Sequence, residues 1–97
     1  MTRDEALRIL REHEAELRKL GVVSLYLFGS TARDEADEKS DVDLFFDYEK
    51  GKFGLYELID VKERAQALLG RKADVMTRDS VHKAMRQDIE DSAVRVF

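Results

Sequence analysis

The amino-acid sequence predicts a small α/β or α+β domain, and three observations carry that prediction. Val22 to Phe28 (VVSLYLF) is an almost continuous β-rich apolar run, the pattern of a strand buried on both faces. Two further strand-like segments are separated by stretches whose apolar residues recur at helical spacing. The chain has 97 residues, no proline, no repeat and no low-complexity tract, so nothing marks an internal boundary and residues 1–97 read as one domain.

The elements follow in order. Thr2 and Glu5 form a T-x-x-E capping box, so a helix starts there and runs to about Leu20. Ala6, Leu7, Leu10, Leu17 and Leu20 share one face; His13 lies in the same stripe and reads as a packed residue rather than a ligand. Gly21 stands where a helix-ending glycine is expected. After the strand from Val22 to Phe28, Gly29-Ser30 breaks the run, and Thr31 to Ser40 reads as a short helical turn plus loop. Val42 to Tyr48 is a second strand with Val42, Leu44 and Phe46 on one face. A loop with two glycines leads to a helix from Leu55 to about Leu69, with Leu58, Ile59, Ala65 and Leu69 facing inward and Gly70 ending it. Lys72 to Thr77 is a short third strand. From Ser80 the pattern is helical, with Val81, Met85, Ile89 and Ala93 on one side, and the residues up to Phe97 form a further strand or docked tail.

Composition excludes several functions. There is no cysteine, hence no thiolate zinc site and no cysteine nucleophile; this fits a reducing, cytoplasmic setting. The charged N-terminus has no apolar run of the secretory kind, and no stretch is apolar enough for a membrane span. With 17 basic and 21 acidic residues the net charge is −4, a poor basis for binding duplex DNA through its phosphates. The acid is concentrated: Asp34 to Glu49 holds eight carboxylates against one lysine, a local charge of −7 that leaves +3 for the rest. Such a block is self-repelling unless water or cations neutralise it. Taken alone it is a solvated acidic loop.

The spacing inside the block points further. Asp41 and Asp43 stand two apart at the head of a strand, so both carboxylates lie on one face while Val42 and Leu44 enter the core. Oxygen ligands so placed suit Mg²⁺ or Mn²⁺, although an edge strand with its polar face in water has the same pattern. Gly29-Ser30 sits where a buried strand ends and a helical turn begins, a place where backbone N–H groups bind phosphate; an ordinary turn looks the same. Asp74, between Ala73 and Val75, either faces solvent or completes a carboxylate cluster from an adjacent strand. Together the three features fit phosphoryl transfer at two metal ions roughly 3.5–4 Å apart, with a glycine-containing cradle for the phosphates.

The run GSTARDEADEKSDVDLF resembles the signature of the DNA polymerase β-like nucleotidyltransferases, Gly-Ser followed after ten residues by Asp-x-Asp. The length, the leading helix and the segment GRKADVMTRDSV are similar to the minimal nucleotidyltransferases that serve as antitoxins of HEPN-type toxins. The resemblance covers nearly the whole chain. It implies a small mixed β-sheet with helices packed on it, and metal binding and catalysis by Asp41, Asp43 and Asp74. Gly29, Ser30 and Arg33 would bind the nucleotide. It also implies two Mg²⁺ ions, ATP as substrate, and transfer of AMP to a tyrosine of a partner HEPN-type ribonuclease toxin. Many members carry glycine after the arginine where this chain has Asp34, a negative charge that the resemblance leads one to expect would weaken nucleotide binding.

Two other readings stay open at this point. The chain could neutralise a toxin by stoichiometric binding, or transfer a nucleotide to a small molecule or an RNA end. A homo-oligomer is compatible with the sequence, and no base-reading residue can be named. Asp47 shares the face of Asp41 and Asp43 but lies further along the strand. Tyr26, Tyr48 and Tyr56 are expected to pack, His82 to be solvated, and Lys62 to lay its stem along the inner stripe of the second helix.

Overall fold

The computed structural model describes every residue except 38, 52 and 82–85. The chain begins with α1 (Arg3–Glu12) and α2 (Glu14–Lys19), followed by β1 (Val22–Phe28), α3 (Gly29–Ala32) and β2 (Val42–Tyr48). Then come α4 (Leu55–Leu69), β3 (Ala73–Thr77), a 3₁₀ turn (Arg78–Ser80), α5 (Arg86–Ser92) and β4 (Val94–Arg95). The four strands form one mixed sheet in the order β3-β2-β1-β4, with β1 antiparallel to both neighbours and β2 parallel to β3. The expected class, a small mixed sheet with helices packed on it, is what is seen. No described helix is long and apolar enough to cross a membrane.

The first helix is interrupted. Thr2 caps it, its hydroxyl accepting from the Glu5 N–H at 3.1 Å, but His13 adopts φ −110°, ψ 21° and separates α1 from α2. The His13 ring lies 2.8 Å from the Ile9 carbonyl through Nδ1, a local bond that occupies the imidazole. The 3.6-residue stripe runs through the break unchanged, so Ala6, Leu10 and Leu17 are all buried and periodicity alone could not register the kink.

One face of the sheet carries the main core. Leu25 and Leu27 of β1, Val42, Leu44 and Phe46 of β2 and Ala73 of β3 pack there against Leu10, Leu17, Val61, Ala65 and Leu69. On α4 the inward position expected of Ile59 belongs to Val61: Ile59 is 41% exposed and Val61 only 1%. Lys62 is exposed as well, outside the stripe assigned to it. Tyr56, expected to pack, is 82% exposed. The rest of the expected stripe holds, with Ala65 and Leu69 buried and Leu58 packed against the core; only Ile59 is displaced, because it stands beside the outward apolar residues Leu55 and Tyr56.

The opposite face is only partly covered. Phe28, Phe45 and Val81 form a second apolar cluster with Tyr26, Met76, Ile89 and Ala93 against it. Ser80, where a helix was expected to begin, closes the 3₁₀ turn and Val81 is extended; α5 is described from Arg86, and residues 82–85, His82 and Met85 among them, lie outside the described residues. Arg78 fastens this cover. Its guanidinium pairs with Asp47 at 2.7 and 3.1 Å and with Glu90 at 2.8 Å, and lies 4.8 Å over the Tyr26 ring. Asp47 also accepts from the Ser24 hydroxyl at 2.6 Å. The C-terminal residues do form a strand: β4 pairs with Tyr26 and Leu27 of β1, and Arg11 donates to the carbonyls of Arg95 and Val96.

Candidate active site

The uncovered end of that second face is where the singled-out residues meet. Asp43 of β2 and Asp74 of β3 are register partners, and partners on neighbouring strands project to the same side of a sheet. Asp41 lies two residues before Asp43, just ahead of β2, close enough for its charge to act on the Asp43 carboxyl. The Val42 N–H donates to the Lys72 carbonyl at 3.2 Å, which continues the β2–β3 pairing to the very end where Asp41 sits.

Gly29 closes the site from β1. It pairs its strand end with Asp43 through Phe28↔Asp43, and its φ of +75° lies in the left-handed region that favours glycine. A Cβ placed on Gly29 would overlap the Asp43 carboxylate. Glycine is therefore required twice over, for the turn and for the approach of backbone to carboxylate. Ser30, half-buried, follows in the single turn of α3, and Arg33 ends that turn in an exposed position with its Nε 3.2 Å from Glu35.

The acidic block is not one solvated loop; several of its carboxylates have separate structural uses. Asp37 closes a local turn, accepting from the Lys39 N–H at 2.8 Å and the Ser40 hydroxyl at 3.1 Å. Glu35 pairs with Arg33, and Asp47 with Arg78 and Ser24. Asp41, Asp43 and Asp74, by contrast, make no side-chain hydrogen bond or ion pair among the described residues. Burial, and then the negative charges of Asp74 and Asp41, raise the Asp43 carboxyl above its ordinary value, and the Arg33 guanidinium partly offsets them. An all-oxygen set of mutually repelling carboxylates has the donor chemistry for Mg²⁺ or Mn²⁺. Among the described residues, no three such side chains are gathered tightly enough to enclose one ion.

Asp34 is the residue whose place the sequence left unexplained. It has φ +58°, the one non-glycine residue with positive φ among those described. It follows α3 as the left-handed residue of a complete Schellman motif: the Asp34 N–H donates to Thr31 O at 3.1 Å and the Glu35 N–H to Ser30 O at 2.8 Å. Glycine suits that backbone, but aspartate tolerates it better than most residues do. The carboxylate accepts from the Arg3 N–H of α1 at 3.1 Å through Oδ1.

The model of the nucleotidyltransferase domain family matches residues 10–96, nearly the full length. The chain belongs to that family. Full-length relatives agree. A Methanocaldococcus jannaschii protein, provisionally named a protein adenylyltransferase, is 36% identical over 97 residues that span 98% of each chain. Protein adenylyltransferase MntA of Thermococcus cleftensis is 35% identical, covering 99% of this chain and 97% of its own. Among solved structures, one described as a minimal nucleotidyltransferase aligns at a TM-score of 0.82 with 32% identity, over 97% of this chain and 95% of that one. A complex of the tri-AMPylated Shewanella oneidensis HEPN toxin with its MNT antitoxin aligns at 0.66 with 14% identity, covering 94% and 71%, and shows the fold alone. This nucleotidyltransferase thus has the fold and the enzyme class that its resemblance to the Gly-Ser and Asp-x-Asp signature implied.

Proposed function

We propose that the chain, acting as one domain over residues 1–97, transfers AMP from ATP to a tyrosine of a partner HEPN-type ribonuclease toxin and thereby silences it. The observation that carries this reading is the shared face of Asp41, Asp43 and Asp74, three carboxylates without partners among the described residues, beside the Gly29 turn. Support for the acceptor class comes from full-length relatives named protein adenylyltransferases and from the AMPylated toxin in a structure of the same fold. A neighbour of the same fold, 16% identical, was crystallised as a toxin–antitoxin with AMP-PNP, which supports ATP as the nucleotide.

In this reading the Gly29 and Ser30 backbone N–H groups and the Ser30 hydroxyl hold the triphosphate, and Arg33 pairs with a phosphate oxygen. Asp41, Asp43 and Asp74 would hold two divalent ions, Mg²⁺ or alternatively Mn²⁺, whose positive charge would offset that of the triphosphate and make its α-phosphorus more electrophilic. Asp74 takes the phenolic proton as the tyrosyl oxygen bonds to the α-phosphorus and the bond to the β-phosphate oxygen breaks, so that pyrophosphate leaves with the electron pair. The cytoplasm is the compartment that supplies these reactants.

The test is transfer of label from ATP labelled at the α-phosphate to a purified HEPN-type toxin. The wild-type chain with Mg²⁺ is expected to label a toxin tyrosine, and Asp41→Asn and Asp43→Asn to reduce the rate about 100-fold or more with the fold retained. Labelling at the wild-type rate by both variants would sink the proposal. One competing reading is neutralisation by stoichiometric binding, which the toxin complex of the same fold supports. Full rescue from the toxin by Asp43→Asn would select it.

A further inference from the structure

We infer that Asp34 is a positioning residue that clips the nucleotide-binding turn to the first turn of α1, and that it strengthens nucleotide binding where the family pattern suggests it should weaken it. The inference rests on the proposed roles of Ser30 and Arg33. A bare acidic side chain beside a triphosphate would repel it, but this carboxylate points elsewhere: Oδ1 receives the Arg3 N–H at 3.1 Å, at the helix end whose dipole favours negative charge. Its charge is thus spent on one of the unpaired N–H groups of α1. Thr2 takes a different one, that of Glu5, so the two caps are complementary rather than redundant.

The other end of the clip is backbone. In the Schellman motif Asp34 and Glu35 bond back to Thr31 and Ser30, so the residues that carry the Asp34 side chain also fix the carbonyl ends of α3. Arg33 sits between, with Glu35 holding its guanidinium at 3.2 Å and its charge acting on Asp43. α3 is a single four-residue turn, too short to be rigid by itself. A glycine at position 34 adopts the same backbone but leaves the turn untethered and with a larger unfolded-state entropy. Asp34 thereby pre-orders a loop that nucleotide binding would otherwise have to order.

Three variants of the full chain separate the two parts of the clip: Asp34→Gly keeps the backbone and loses the tether, Asp34→Asn keeps both, and Asp34→Ala loses both. Amide hydrogen exchange across residues 30–35 without nucleotide is expected to rise about five-fold in Asp34→Gly, the equivalent of one lost hydrogen bond, and to stay within two-fold of wild type in Asp34→Asn. Calorimetric titration with ATP and Mg²⁺ is expected to show a dissociation constant about five-fold weaker in Asp34→Gly and restored in Asp34→Asn. Unchanged exchange in Asp34→Gly, or nucleotide binding in it as tight as wild type, overturns the inference. Failure of the wild-type chain itself to bind ATP overturns the proposed function and with it the positioning of a nucleotide, whereas the exchange result still reports whether the clip exists.

Discussion

Substitution of Gly29 by alanine tests the geometry at its tightest point. Placing a non-glycine residue at φ +75° costs about 1–2 kcal/mol. The new Cβ also overlaps the Asp43 carboxylate, and moving that side chain off its rotamer adds about 0.5–1.5 kcal/mol. The total is about 1.5–3.5 kcal/mol. For a domain of 97 residues the unfolding entropy converts each kcal/mol into about 5 °C, so the melting temperature should fall by about 8–18 °C. Thermal unfolding followed by far-UV circular dichroism measures this, and the same substitution in an Asp43→Ala background isolates the contact. There the carboxylate is gone, only the backbone cost remains, and the drop should shrink to about 5–10 °C. A loss of less than about 2 °C in the wild-type background would refute the left-handed turn. An equal loss in both backgrounds would refute the approach of Gly29 to Asp43.

Two other predictions address charge and packing. Because the Asp43 carboxyl is raised in the folded state, first by burial and then by Asp74 and Asp41, its favourable contribution is present below the unfolded-state pKa of about 3.9 and lost as pH rises through the higher folded value. Asp43→Asn should therefore gain stability relative to wild type as pH rises from 3 to about 7 in the presence of a chelator. Melting curves showing a constant or falling difference would contradict the raised Asp43 carboxyl. On α4, Val61→Ala should destabilise by about 2 kcal/mol through lost burial and a cavity, whereas Ile59→Ala should change stability by less than about 0.5–1 kcal/mol. Urea denaturation of the pair checks which of the two side chains faces the core, and the reverse order would restore the inward Ile59 expected from sequence.

Element type and order were legible because local rules set them: the apolar run of β1, the Thr2 cap, the glycines at helix ends and the alternation in β2 all act within a few residues. Asp41 and Asp43 could be placed on one face for the same reason, since the period of a strand is two. What short spacing could not supply was the meeting of separate segments. That Asp74 is the register partner of Asp43 depends on β3 pairing parallel to β2 after an intervening helix, a connection of tertiary origin. The break at His13 and the outward turn of Ile59 were hidden because both alternatives satisfy the same hydrophobic period. Arg78 and Asp47 are 31 residues apart, and Asp34 and Arg3 likewise, so no local pattern announces either pair. The chain's own sequence thus determined its elements, its family signature and two of the three carboxylates on one face. Only the folded sheet decided which charges are neutralised and which three are left facing one another, because compensation of a charge depends on distance in space and not on separation along the backbone.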